Sequence, residues 1–430
     1  MSQKLKIIIS VILVIVVSTP VLFKKEERFI AISEVKNNHG VKAYQIRVNS
    51  DNILHIKCKF RNTGVLHNTY EKYGISAVIG DLLCRKINGL SSEDTKEKLL
   101  ELGVKNLSVN ARDDDIVLSF YVLKDKAPET LHFLSSVFFK PEFSKNDLEF
   151  VETKYPEILD LDSSHPKKLL MDKLMAMLYQ NHNYGLNNSG TAQAIASITE
   201  DDVHDFIKSN FSKDRLEVFF TGNMSQSEIE TYLEKLISKL PEKNQKKFLS
   251  EINLLSSSLS EKKETVIHKK DMGNIVGIMF GVRVDNLSEQ EKAAAHIIIK
   301  TLFDRKIGDF SVGLRLRNIS YGINCHILHR RFSSVFCFWN YVDKEDLASY
   351  NQYLKEKISL YAKRLNIKKL EQVKENLMAQ SRTNFTNLSD MDQKIKYNSL
   401  PFSEITPEIL MKVAGKLFNE PKIRIVYILQ

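Results

Sequence analysis

The chain has 430 residues, a formal net charge of +9 and 43% hydrophobic residues, with 16 glycines and 9 prolines. Such a length and composition allow two domains with full cores and exclude a disordered or low-complexity chain. The positive charge lies in short clusters such as Lys262, Lys263, Lys269 and Lys270, without a long basic block or an aromatic-interleaved basic motif, so no nucleic-acid partner is expected.

The chain opens with MSQKLKIIISVILVIVVSTPVLFKKEE, in which Lys4 and Lys6 precede an apolar run from Ile7 to Val17. A short run with a basic front is the pattern of a secretory signal, here with cleavage near Ser18. If the run extends through Val21, Leu22 and Phe23, it persists instead as an N-terminal membrane anchor. Either way residues 1–25 predict an exported protein, periplasmic or otherwise extracytoplasmic, with a possible membrane tether.

Residues 28–239 read as one lobe. NTGVLHNTYEKYGISAVIGDLL, residues 62–83, gives the end of a strand, a polar turn and an amphipathic helix. LSSEDTKEKLLELGVKNLSVNARDDDIVLSFYVL gives a helix ended by Gly103 and paired strands around Asn110 and Ala111. KAPETLHFLSSVFFKPEFSKNDLEFVETKYPEIL gives a helical pair. NHNYGLNNSGTAQAIASITEDDVHDFIKSNFSKDRLEVFFTGN then gives a loop, a helix and a closing strand ending near Gly222. The Lys-, Glu- and Ser-rich stretch 240–264 lacks a sustained apolar strand and reads as a linker.

Residues 265–430 repeat the order of the first half: an apolar strand, a polar turn, a helix from about Ser288, a hairpin at 319–342, helices near 344–379, a short helix after Thr406 and the final strand KIRIVYIL. Strands grouped in hairpins, with helices showing 3.6-residue apolar stripes, predict an α+β fold of two homologous lobes, each a mostly antiparallel sheet packed by helices on one side. Cys325 and Cys337 stand equidistant from the turn HRRFS and are candidates for a cross-strand disulfide or for two free thiols. The eleven histidines are scattered; only His326 and His329 are close, and a spacing of three on a strand points them to opposite faces.

The pieces of residues 40–240, in this order, resemble the pitrilysin/insulinase family of zinc metallopeptidases, and the duplication resembles its processing-peptidase branch. The family's helix carries His-x-x-Glu-His, in which two histidines hold zinc and the glutamate activates the bound water. When Gly74 is matched to the family's glycine, Ala77 and Asp81 fall where the zinc histidines would be and Gly80 where the catalytic glutamate would be. Glu157, 76 residues after Asp81, stands where the third zinc ligand would be. Alanine and glycine offer neither a ligand atom nor a base, so the resemblance implies no catalytic residue and no metal in this chain, with zinc expected only in a partner subunit.

In the family the second lobe also supplies an arginine and a tyrosine that hold substrate. GDFSVGLRLRNISYGI resembles that stretch, with Tyr321 in place and Leu314 at the arginine's position, so that Arg315 or Arg317 is the candidate substitute. The resemblance implies a catalytically inactive protein that pairs as a heterodimer with an active paralogue and binds peptide or unfolded protein. Two other readings stay open: a structural scaffold subunit of a larger membrane-associated complex, and a metallopeptidase with an unrecognised metal site.

Overall fold

The structure, a computed structural model, describes residues 32–48, 52–68, 72–85, 90–139, 147–148, 153–155, 157, 159, 164–243, 258–383 and 401–430. The expected signal or anchor at 1–25 and most of the expected linker lie outside the described residues. Among the described residues no helix is long and apolar enough to cross a membrane.

The first half builds strands β1 (Ile32–Val35), β2 (Lys42–Ile46) and β3 (Ile53–Arg61), then helices α1 (Ile75–Arg85) and α2 (Ser92–Glu101). The hairpin β4 (Lys105–Ala111) and β5 (Asp115–Leu123) leads to α3 (Ala127–Phe139), α4 (Pro166–Leu178), α5 (Ala192–Ala196) and α6 (Glu200–Asn210), and β6 (Leu216–Thr221) and α7 (Gln226–Ile237) close it. The second half builds β7 (Glu264–His268), β8 (Ile275–Asp285), α8 (Glu289–Phe303) and α9 (Asp309–Leu316), then the hairpin β9 (Asn324–His329) and β10 (Ser333–Asp343). It ends with α10 (Leu347–Lys363), α11 (Ile367–Thr383), α12 (Pro407–Leu417) and β11 (Arg424–Leu429).

Local chemistry sets several of these starts. Capping boxes pair Ser91 with Asp94, Thr199 with Asp202, Ser225 with Glu228 and Ser288 with Glu291, satisfying N–H groups that a first helical turn leaves open. Strand β8, IVGIMFGVRVD, is a continuous apolar run from Val276 to Val282 because it is buried on both faces.

The strand orders are β1-β2-β6-β3-β5-β4 and β7-β11-β8-β10-β9. In both sheets the last strand of the half inserts in the interior, running parallel to one neighbour and antiparallel to the other (β2 and β3 around β6, β7 and β8 around β11), and every other pairing is antiparallel. The second sheet therefore repeats the first without β1, the topological signature of the duplication read from the sequence. Each sheet packs its own helices over one face, giving two apolar cores.

A third core lies between the halves. Leu170, Leu174 and Leu178 of α4, contributed by the first half, pack with Met279, Cys337, Val426 and Ile428 on the second face of the second sheet. Glycines make room for that helix: a Cβ at Gly281 would stand 2.9 Å from Leu174 and one at Gly277 3.2 Å from Leu170. The expectation of helices on one side thus describes each half's own helices, while the second sheet gains a cover on its other face from α4. Helix α4 buries its apolar stripe there because a sheet buried on both faces has no other partner for that surface.

Candidate functional site

Helix α1 carries the three motif positions. It starts from a turn in which Lys72 pairs with Asp202 at 2.7 Å and donates to the Ser197 carbonyl, and in which Gly74 takes φ +101° against Gly190. Ser76 donates to the Asn68 side chain at 2.6 Å, fixing the first turn to the chain that enters it. Ala77 is half-buried against the first core, and Asp81 is half-buried one turn further on. Gly80 is buried with its Cα facing β4, where a Cβ would stand 3.0 Å from the Val109 carbonyl oxygen. A glutamate at 80 would therefore gain helix propensity of about 1 kcal/mol but press on the β4 backbone, which opposes the gain.

Glu157 lies at the surface, its side chain 64% exposed and paired with Lys154 at 3.1 Å. The donor set does not fit a zinc site: two of the motif positions lack any ligand atom, and of the two carboxylates one is engaged by a lysine. Among the described residues, no three His, Cys, Asp or Glu side chains converge as a metal site would require.

On the second half, Leu314 is fully buried in the core of that lobe and faces no substrate. Arg315 turns its guanidinium onto three backbone carbonyls, those of Arg305 at 2.8 Å, Lys306 at 2.5 Å and Tyr321 at 2.9 Å. Arg317 stacks over the Tyr353 ring, 4.5 Å from its centroid, and donates to the Gly313 carbonyl. Tyr321 is 86% exposed and lies in the turn before β9 rather than within a strand. The structure thus brings Arg315 and Tyr321 together and directs Arg317 to α10.

The hairpin register corrects the disulfide candidate. Cys337 faces His326 and Cys325 faces Phe338, so the two thiols point to opposite faces of the sheet, and both are free. A slip of one residue from the expected register separates them. His326 and His329 do point to opposite faces, as their spacing implies. The histidines that meet are His296 of α8 and His329 of β9, with Nε2 atoms 3.0 Å apart, while His329 Nδ1 lies 2.8 Å from Ser334 Oγ. Residues 33 apart in the chain gave no local signal of that pair.

A buried charge cluster escaped the sequence reading. The β4–β5 turn carries Asp113 and Asp114, the β9–β10 turn carries Arg330 and Arg331, and these equivalent hairpin tips of the two halves dock on each other. Arg330 Nε donates to Asp113 at 2.7 Å, its guanidinium lies 4.4 Å from the Tyr184 ring centroid and 4.9 Å from that of Tyr179, and the Arg331 N–H donates to Asp114 at 2.9 Å. Tyr184 donates to Asp114, and Tyr179 and Ser333 hydroxyls lie 2.6 Å apart.

Electrostatics follow from that burial. Burial alone would lower the Arg330 pKa, but Asp113 outweighs it and holds the guanidinium firmly charged. Burial raises the Asp114 carboxyl above the usual range despite the Tyr184 hydrogen bond, and burial with the neighbouring Asp114 raises the Tyr184 phenol. His182 is pushed down to about 4, first by burial and then by Arg283 and Arg330, so it is neutral at pH 7, and its Nδ1 accepts from the Tyr184 N–H at 3.1 Å. The legible signal was the pairing of RDDD with HRRF at matching turns of a duplicated unit.

Two family models match this chain: "Insulinase (Peptidase family M16)" over residues 61–192 and "Peptidase M16 inactive domain" over residues 197–377. The chain is similar to the uncharacterized zinc protease YmxG of Bacillus subtilis, 26% identical over 205 residues that make up 47% of this chain and 49% of that protein. It is also similar to the mitochondrial-processing peptidase subunit beta of Dictyostelium discoideum, 24% identical over 39% of this chain and 36% of that one. The matches thus span about half or less of these relatives' length.

Solved structures share the fold over nearly the whole chain. A peptidase M16 inactive domain from Pseudomonas fluorescens superposes with a TM-score of 0.77 at 18% identity, covering 93% of this chain and 98% of that one. A protease from Helicobacter pylori gives 0.78 at 15% identity, covering 94% and 100%. The periplasmic protease PqqL of Escherichia coli gives 0.70 at 12% identity, covering 93% of this chain and 47% of that one.

Proposed function

The chain belongs to peptidase family M16, and from that premise we propose that it is a catalytically inactive member that holds peptide for an active zinc-binding paralogue in a heterodimer. The observation that carries this reading is the donor set of α1: Ala77 and Gly80 supply neither ligand nor base. The signal-like start at residues 1–25, together with the periplasmic location named for PqqL, supports export. Strand addition along a sheet edge asks only for backbone geometry, so a lobe without metal chemistry can still hold an extended peptide.

The purified full chain is expected to carry substoichiometric zinc by elemental analysis and to leave unfolded peptides uncleaved. One zinc per chain with chelator-sensitive hydrolysis would overturn the reading. Restoring single motif positions is expected to give no activity. The minimum restoration is Ala77→His, Gly80→Glu and Asp81→His together, and it must also displace the Val109 carbonyl by a few tenths of an ångström.

Tyr321→Phe is the clean test of substrate holding, because the Tyr321 side chain stands in solvent, whereas Arg315 is bound to three carbonyls and Arg317 stacks on Tyr353. Its exposed hydroxyl is worth less than a buried donor, so turnover by the assembled pair is expected to fall about tenfold, equivalent to ~1.4 kcal/mol, with assembly unchanged. Arg315→Ala, in contrast, frees three carbonyls and loosens the loop itself. Unchanged turnover in the Tyr321→Phe complex would favour a scaffold subunit.

A further inference from the structure

Three apolar side chains stand far into solvent around α9: Ile307 at 61% exposure, Leu316 at 79% and Tyr321 at 86%. They do not sit on loose chain. The Arg315 guanidinium ties the carbonyls of Arg305 and Lys306 to that of Tyr321, and a Cβ at Gly322 would stand 3.0 Å from the Arg305 carbonyl, so the loops before and after α9 touch. The Asp304 carboxylate accepts from the N–H groups of Lys306 and Ile307, and Lys369 donates to the Ile307 carbonyl. Apolar groups held exposed on a hydrogen-bonded platform form a pre-organised contact surface.

The charge around that platform is net positive. From Lys300 to Tyr321 the chain carries Lys300, Arg305, Lys306, Arg315 and Arg317 against Asp304 and Asp309. Both carboxylates are already neutralised, Asp304 by Lys300 at 2.6 Å and Asp309 by Lys369. Among the described residues no carboxylate pairs with Arg305 or Lys306, and both are exposed. Next to them opens a cavity of about 360 Å³ with Phe303, Ile323 and Ile327 in its wall, and with Arg305 and the Lys300–Asp304 pair in its polar lining. An apolar recess with cations beside it, in this size range, suits a side chain or short segment of a ligand.

We infer that this platform binds peptide segments in which an apolar or aromatic residue is flanked by carboxylates: the apolar residue covers Ile307, Leu316 and Tyr321 or enters the cavity, and the flanking carboxylates meet Arg305 and Lys306. This names the substrate class for the substrate-holding reading and rests on it. Unpaired, exposed cations gain from an acidic partner and repel a basic one, which gives selectivity by sign.

The test is fluorescence anisotropy of the full chain with two labelled, unfolded peptides of equal length sharing one central phenylalanine, flanked by glutamates in one and by lysines in the other. The acidic peptide is expected to bind about tenfold or more tighter, to weaken as salt is raised, and to lose its preference in Arg305→Glu with Lys306→Glu. Those two side chains carry no ion pair among the described residues, so the double variant is expected to keep its unfolding midpoint, and Lys262→Glu with Lys263→Glu is the control of equal charge change. Equal binding of both peptides, or an acidic preference that survives the reversal at 305 and 306 or is lost equally in the control, overturns the inference while leaving substrate holding intact. If neither peptide binds at all, both readings are overturned. Acidic binding that the 305/306 variant abolishes, with no loss of turnover in the assembled pair, keeps this inference and removes the substrate-holding reading.

Discussion

Asp113→Ala is expected to lower the stability of the folded chain by about 3–5 kcal/mol, because it leaves the Arg330 guanidinium buried without its counter-charge. The Arg330 side chain is only 4% exposed, and the Tyr179 and Tyr184 rings, the Tyr179 hydroxyl and the Tyr184 carbonyl at 3.2 Å carry no compensating charge. An exposed pair such as Lys98 with Glu101 is expected to contribute little, since water screens it. Replacing both partners, Asp113→Leu with Arg330→Met, is expected to recover most of the loss, because the buried guanidinium is removed together with its counter-charge. Urea unfolding followed by the fluorescence of Trp339, the single tryptophan, reads the effect on the second sheet directly. A loss no larger than that of removing Glu101 would show that the docked hairpin tips add nothing to the junction.

Gly190→Ala is expected to cost about 3 kcal/mol, from two sources that act together. Its φ of +81° is a conformation that side chains disfavour, and a Cβ there would stand 2.7 Å from the Tyr73 carbonyl and 2.8 Å from the Gly74 Cα. Gly74 has φ +101° itself, so the backbones of the α1 turn and of the loop before α5 approach at a point where neither has room for a side chain. Gly40 separates the two sources: its φ is +67° with nothing within 4 Å of a Cβ, so Gly40→Ala is expected to cost only the conformational part, about 1 kcal/mol. Equal shifts in thermal unfolding midpoint for the two variants would remove the contact from the account.

The sequence by itself determined what depends on local pattern. Apolar periodicity marked the helices and strands of both halves, and the order of elements revealed a duplication whose strand pairings turned out equivalent. That Ala77 and Gly80 carry no donor atom was equally legible, because side-chain composition needs no coordinates to be read. Tertiary structure decided everything that depends on which distant surfaces meet. Helix α4 crossed to the second sheet because Gly277 and Gly281 leave space there for Leu170 and Leu174. His296 met His329, 33 residues away in the chain, and a register one residue from the expected one put Cys325 and Cys337 on opposite faces. Arg315 was legible as a cation but not as a clamp on three carbonyls, since a side chain's direction follows from the loops that fold back around it. Periodicity is imposed by each element's own backbone geometry, whereas partners are chosen by burial and charge across the whole chain, and no local pattern carries that choice.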